Sequence, residues 1–266
     1  MPIYPAVQFM TTGGTLVGNK VRLDGSDAMA NPVVDAGWYM AENSGSSIIR
    51  KFGENDDLDT ALETVWDVGG LYPWNAFSAA TLLDVVSDEV EDVFSGTGAR
   101  VAELQGLDAN FNKVTENVNL SGTIAVSTTL QFRRLFRIKV LSAGTQGSNE
   151  GTVTASHPDG TTLAQVSATK NQTLMALWTV PSGKTMYMVD VYFNGGVAQR
   201  TIHAELYIRS PNQVFQLKRH FKLYESSIIY TFPFPLVVSS TSDIEIRAES
   251  SGVNGQLAAG FSGYYK

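Results

Sequence analysis

Three histidines, His157, His203 and His220, are the side chains best suited to move a proton near neutral pH. They fall far apart on different predicted elements, and none has a Ser, Cys or carboxylate at motif spacing, so no nucleophilic triad is predicted. The run Glu54-Asn55-Asp56-Asp57-Leu58-Asp59 is rich in oxygen donors, as Ca²⁺ sites are. It lacks the turn glycine and the closing bidentate Glu of an EF-hand loop. Carboxylates are numerous enough for the pair a glycosidase needs, but sequence does not say which of them converge. Ser95-Gly96-Thr97-Gly98 has no following Lys-Ser/Thr and no strand-to-helix setting, so it is not a phosphate-binding loop. Trp38, Trp66, Trp74 and Trp178 could stack on sugars, although aromatic residues in β proteins more often fill the core. No cofactor or metal site is expected.

One charged constellation does have a direction. In Lys218-Arg219-His220-Phe221-Lys222, strand alternation puts Lys218, His220 and Lys222 on one face. Arg219 shares the other face with Leu217, Phe221 and Leu223. The basic strip is either a solvated strand face or a contact surface for an acidic partner. A counterpart exists in the same chain. Between Lys51 and Arg100 there is no Lys or Arg, yet Glu54, Asp56, Asp57, Asp59, Glu63, Asp67, Asp84, Asp88, Glu89, Glu91 and Asp92 fall there. That segment is either a solvated acidic face or a patch for a basic partner or a cation.

Composition narrows the classes. The chain of 266 residues has a net charge of −7, which argues against direct nucleic-acid binding. It has no cysteine, so disulfides, thiolate metal sites and thiol nucleophiles are excluded. No run of about 18 apolar residues is present, so no membrane-spanning helix is expected. The sequence Met1-Pro2-Ile3-Tyr4-Pro5 does not read as a secretory signal.

The elements that must position these groups read as strands. Residues 1–48 are punctuated by Gly and Pro and read as an extended arm, with Trp38 and Tyr39 as apolar anchors. The arm lies either on its own domain or on a neighbouring subunit. Ser78–Phe94 fits either a helical stripe or a strand followed by an acidic loop, and the surrounding β signals favour the strand. From Arg100 onward, runs such as Val214–Leu223 and Ile244-Glu245-Ile246-Arg247-Ala248 alternate apolar and polar residues, which predicts one buried and one wet face. Phe232-Pro233-Phe234-Pro235 belongs at an edge or a bend. The expected fold is all-β: an extended N-terminal arm (1–48), a β-rich domain (49–155) and a jelly-roll-like β-sandwich (156–266).

Several segments resemble a family of virion structural proteins from tailed bacteriophages. They are Lys51-Phe52-Gly53, Glu63-Thr64-Val65-Trp66-Asp67-Val68-Gly69-Gly70, Ser95–Arg100, Gly106–Asn112, Phe136-Arg137 leading to Ser142-Ala143-Gly144, Asn171–Lys184, and Phe215-Gln216-Leu217 running to Asp243–Ala248. The resemblance covers about residues 49 to 262. It implies a non-enzymatic virion component: a capsid decoration or cement protein, or a tail, head-fibre or baseplate part with a glycan-binding role. The partners implied are the major capsid protein or tail neighbours, and further copies of the chain. A trimer is expected, by analogy with jelly-roll decoration proteins that meet at three-fold positions. The candidate contact residues are Lys218, His220, Lys222, Trp38 and Tyr39.

Overall fold

The structure is a computed structural model that describes residues 45–195 and 200–266, together with three short strands before them. Those three, β1 (Leu16–Val17), β2 (Lys20–Leu23) and β3 (Ser26–Asp27), pair antiparallel into a small sheet. The next strands are β4 (Ser47–Leu58) and β5 (Glu63–Thr64), followed by a 3-10 turn at Trp74–Phe77. Then come β6 (Asp84–Ser87), β7 (Ala99–Leu107), β8 (Lys113–Asn119), β9 (Val126–Ser127), β10 (Arg134–Ala143), β11 (Val153–Ser156) and β12 (Thr162–Val166). The chain closes with β13 (Leu177–Thr179), β14 (Met186–Gly195), β15 (Thr201–Arg209), β16 (Gln216–Tyr224), β17 (Ser226–Val238), β18 (Asp243–Ser250) and β19 (Gly255–Tyr265). Among the described residues no helix is long and apolar enough to cross a membrane.

The protein is all-β, and its topology is that of a jelly roll with a domain set into it. One sheet has the order β17-β14-β19-β4 and the facing sheet the order β13-β18-β15-β16. Numbered along the sandwich, strands one, three, six and eight form one sheet and strands two, four, five and seven the other, the arrangement of an eight-stranded jelly roll. Between its first and second strands sits a second β unit. This insert has one sheet ordered β10-β7-β8 and another ordered β12-β11-β6-β9. Pairing therefore crosses the division expected at residue 155/156. Strand β4 joins β19, β5 joins β18, and β11 spans the boundary itself while pairing with β6 and β12. The Ser78–Phe94 segment resolves as the short strand β6, with Thr81 bridged to Phe132, and not as a helix.

Strand β4 was not legible as a strand because its inward positions are not apolar. Lys51, Gly53 and Asn55 are the buried residues of its central stretch. Each has a specific reason to point inward. The Lys51 ammonium donates to the Phe136 carbonyl of the insert. A Cβ on Gly53 would lie 2.3 Å from the Val65 carbonyl oxygen, so only glycine permits the close approach. The Asn55 amide donates to Glu63 Oε2 at 3.1 Å.

The acidic segment is not one patch either. Asp92 is fully buried and accepts from the Ala99, Glu150 and Gly151 amides and the Ser87 hydroxyl, holding the loops of the insert together. Glu63 accepts from the Gly70 amide and Asp88 from the Thr152 amide. These carboxylates replace missing backbone partners in turns. Asp56 and Asp57 remain exposed.

Insert and jelly roll meet over the outer face of the β18 sheet. The alternation of Ile244–Ala248 predicted a wet face there, but Glu245 is 0% exposed. The 3-10 turn covers it: Trp74 Nε1 donates to Glu245 Oε2 at 2.9 Å, and the Thr64 hydroxyl donates to the other carboxylate oxygen. Beside it, Arg134 from the insert grips Asp243 with two hydrogen bonds, Nε to Oδ1 at 3.0 Å and Nη2 to Oδ2 at 3.2 Å. Arg209 donates to the same Oδ2 at 2.6 Å and the Thr179 hydroxyl to Oδ1 at 2.6 Å. The Arg134 and Arg209 guanidiniums each lie 5.3 Å from the Trp74 ring centre. Tyr72 extends the seam by donating from its hydroxyl to the Leu135 carbonyl at 3.1 Å.

Four variants test this architecture. Asp243→Asn should lower stability in urea by about 3 kcal/mol, because Arg134 then stays charged and buried with half its partner. Arg209→Met, at a more exposed position, should cost no more than about 1 kcal/mol; the reverse ranking would show that the seam is not centred on Asp243. Gly106→Ala puts a Cβ 2.1 Å from the Arg134 carbonyl oxygen. It should cost about 1–3 kcal/mol by the same assay. Burial pushes the Asp67 carboxyl up to about 6, against the hydrogen bond from Ser167. The folded state therefore binds this proton more tightly than the unfolded chain, and its contribution is present at acid pH and lost as pH rises from about 4 to about 6. Asp67→Asn should remove that loss, gaining on the order of 2 kcal/mol at pH 7 relative to pH 4 when the two chains are compared by urea unfolding at both values.

Candidate functional site: the open side of the sandwich

Strands β16 and β17 are consecutive, but they belong to different sheets and each forms the outer edge of its own. No described strand pairs with either outer edge, so one side of the jelly roll presents two rows of main-chain groups. The sandwich opens between them. The opening is filled by a line of rings: Phe193 to Phe221 at 4.9 Å, Phe221 to Tyr230 at 5.7 Å, and Tyr230 to Phe232 at 5.1 Å. The Arg219 guanidinium caps this line, 5.4 Å from the Tyr230 ring and 5.2 Å from the Phe232 ring. Such stacking satisfies the cation without a carboxylate.

The alternation read from β16 holds for Phe221 and Leu223 against His220 and Lys222, but not for Leu217. Leu223 is buried and Phe221 half-buried, while Lys218, His220 and Lys222 are exposed on the opposite face. A bulge opposite Leu206 and Tyr207 breaks the pattern, and Leu217 turns out to 48% exposure. Trp38 and Tyr39, the other expected contact residues, lie outside the described residues.

The histidines are closer than their sequence separation suggests. Antiparallel pairing sets His203 opposite Lys222 and Glu205 opposite His220. The two imidazoles meet edge to face at 5.4 Å. His220 Nδ1 lies 2.9 Å from Glu205 Oε1, and His203 Nδ1 lies 3.1 Å from Glu249 Oε1. The signal was present in the hairpin register of two adjacent alternating strands. These are half-exposed surface pairs, of small energetic weight. His157 stands apart, against Asp159 at 3.0 Å.

Strand β17 carries the feature that sequence reading missed. Over its 13 residues, Ile229 is 76% exposed, Phe234 87% and Val237 61%. Tyr224 and Leu217 on β16 are exposed as well. Pro233 and Pro235 sit on an edge, as expected, and the pairing with β14 shifts register between Met188 and Asp190 beside them. Of the four tryptophans, Trp66, Trp74 and Trp178 are buried and so present no stacking platform to solvent. The run Glu54–Asp59 lies along β4 and the turn after it. Asn55 points inward there and Asp56 and Asp57 outward, so its oxygens do not converge.

No protein-family model matches the chain, and no curated protein does. The resemblance to tailed-phage virion proteins therefore rests on the motifs quoted above. Among solved structures, the chain is similar at 10% identity and a TM-score of 0.22 to the VP2 subviral particle of infectious bursal disease virus, covering 83% of this chain and 71% of that one. The infectious bursal disease virus Gt strain structure is similar at 9% identity and a TM-score of 0.19, covering 83% and 72% respectively. TM-scores of this size do not establish a common fold.

Proposed function

We propose that this chain is a non-enzymatic structural subunit of a virion, a decoration or cement protein that clamps neighbouring subunits of a tailed-phage capsid. The observation that supports this most directly is the open side of the sandwich. A 13-residue edge strand with Ile229, Phe234 and Val237 exposed offers a neighbour apolar side chains and main-chain groups with which no described strand pairs. Covering one such side chain contributes about 1.5–3 kcal/mol to a contact. In a symmetric shell the same contact recurs at every equivalent position, so a modest surface per subunit adds up around the particle. The rim formed by Lys218, His220 and Lys222 would set the orientation of that neighbour by charge. The motif resemblance points the same way. The neighbour is a second copy of this chain, with a trimer as the expected state, seated on the major capsid protein.

The purified chain should form an oligomer by light scattering, and Phe234→Asp and Ile229→Asp should convert it to monomer while leaving its urea midpoint within about 0.5 kcal/mol of the parent. Particles lacking the protein should release their contents at lower temperature than complete ones. A monomeric parent chain together with equally heat-stable deficient particles would overturn the cement role. Recovery of the chain with isolated tails would assign it there.

A further inference from the structure

A second feature lies on the opposite flank of the molecule, where insert and jelly roll leave a cleft of about 310 Å³ between them. Arg50 of β4 and Tyr265 of β19 line it from the jelly roll; Gln105 of β7, Lys113 of β8 and Arg137 of β10 line it from the insert. The side chains of Ile48 and Trp178 help form an apolar wall. Three cations thus face one space, and no carboxylate is among the described residues that line it. In a chain of net charge −7 this is a local reversal of sign. Glu103, two residues from Gln105, is engaged by Lys139 at 2.8 Å and by the Gln105 amide at 2.6 Å.

The positive charge is built in. Arg137 is held by donating from Nη2 to the Arg50 carbonyl at 3.0 Å, and Lys113 by donating from Nζ to the Tyr265 hydroxyl at 2.8 Å. Lys51 lies buried beside them on Phe136. Burial and the charge of Arg137 hold its ammonium well below the usual lysine range, and burial likewise lowers Arg137. Burial is the main cause of both shifts, Glu103 partly offsets the one on Arg137, and an anion in the cleft would oppose both. Arg and Lys presented together against an apolar wall suit an oxyanion carried on a compact body.

We infer that this inter-domain cleft is a binding site for a small oxyanion-bearing ligand, a carboxylate, sulfate or phosphate group on a sugar-sized body, with Arg50, Lys113 and Arg137 as its anion contacts. The site is independent of the shell contact proposed above and lies on residues that contact does not use.

Calorimetric titration of the full chain at low salt tests it, with glucuronate, sulfate, phosphate and uncharged glucose as probes. Glucuronate should bind saturably at one site, and Lys113→Gln and Arg50→Gln should each weaken it by roughly 10-fold. Lys218→Gln, which removes an equal charge from the distant β16 face, should leave the affinity unchanged. Both cleft variants alter exposed positions, and their urea midpoints confirm folding. Tighter binding of glucuronate than of sulfate or phosphate would assign the site to a sugar acid; equal saturable binding would assign it to the free oxyanion. Binding that does not saturate, that glucose matches, or that Lys218→Gln weakens as much as Lys113→Gln does, would overturn the inference.

Discussion

A carboxylate buried between two guanidiniums has to be fully paired or not buried at all, and Asp243 is paired on every side. Arg209 and Thr179 reach it because they are its cross-strand neighbours on β15 and β13. Arg134 reaches it from a different unit altogether. The desolvation of these charges is offset only when insert and jelly roll are in one relative position. The same seam seats Trp74 on Glu245, and so fixes the 3-10 turn that covers the sheet. Ionic contacts of this kind add little net stability compared with an apolar seam, but they tolerate few alternative registers. The cationic cleft depends on that single arrangement.

Much of the fold could be read before any coordinates. Strands such as Thr201–Arg209 and Asp243–Ser250 stand close to where alternation put them, because their inner faces carry Ile, Leu and Ala packed in the core. The failures have physical causes. Alternation marks two different faces without saying whether the polar one is wet. Glu245 looked solvated and is instead covered by a residue 171 positions away, Trp74. Strand β4 disguised itself because Lys51, Gly53 and Asn55 face inward for hydrogen bonds and close approach, not for apolar burial. Nor does a turn-rich stretch show that β4 and β5 pair with C-terminal strands across the insert.

The functional surfaces divide the same way. The outward face of Lys218, His220 and Lys222 was legible from period two alone. The approach of His203 to His220 needed the register of a hairpin as well. The exposure of Phe234 could not be read from composition, since an aromatic residue between two prolines in an apolar run suggests a core bend as readily as a bare edge. The cleft lies beyond sequence reading entirely, because its three cations come from strands β4, β8 and β10, which meet only once the two units are docked.

Placing the insert between the first two strands of the jelly roll has a consequence for how the molecule is made. Strand β4 leaves the ribosome early, yet its hydrogen-bonding partner β19 is the last strand of the chain. The strands of the insert pair with one another, so its two sheets can close while β4 is still waiting. The sandwich then condenses around the insert from both ends. Such a long-range closure is slow, and the unpaired strand is open to wrong partners meanwhile. An inward-facing lysine and a run of acidic side chains along β4 keep that waiting strand soluble until its true neighbour arrives.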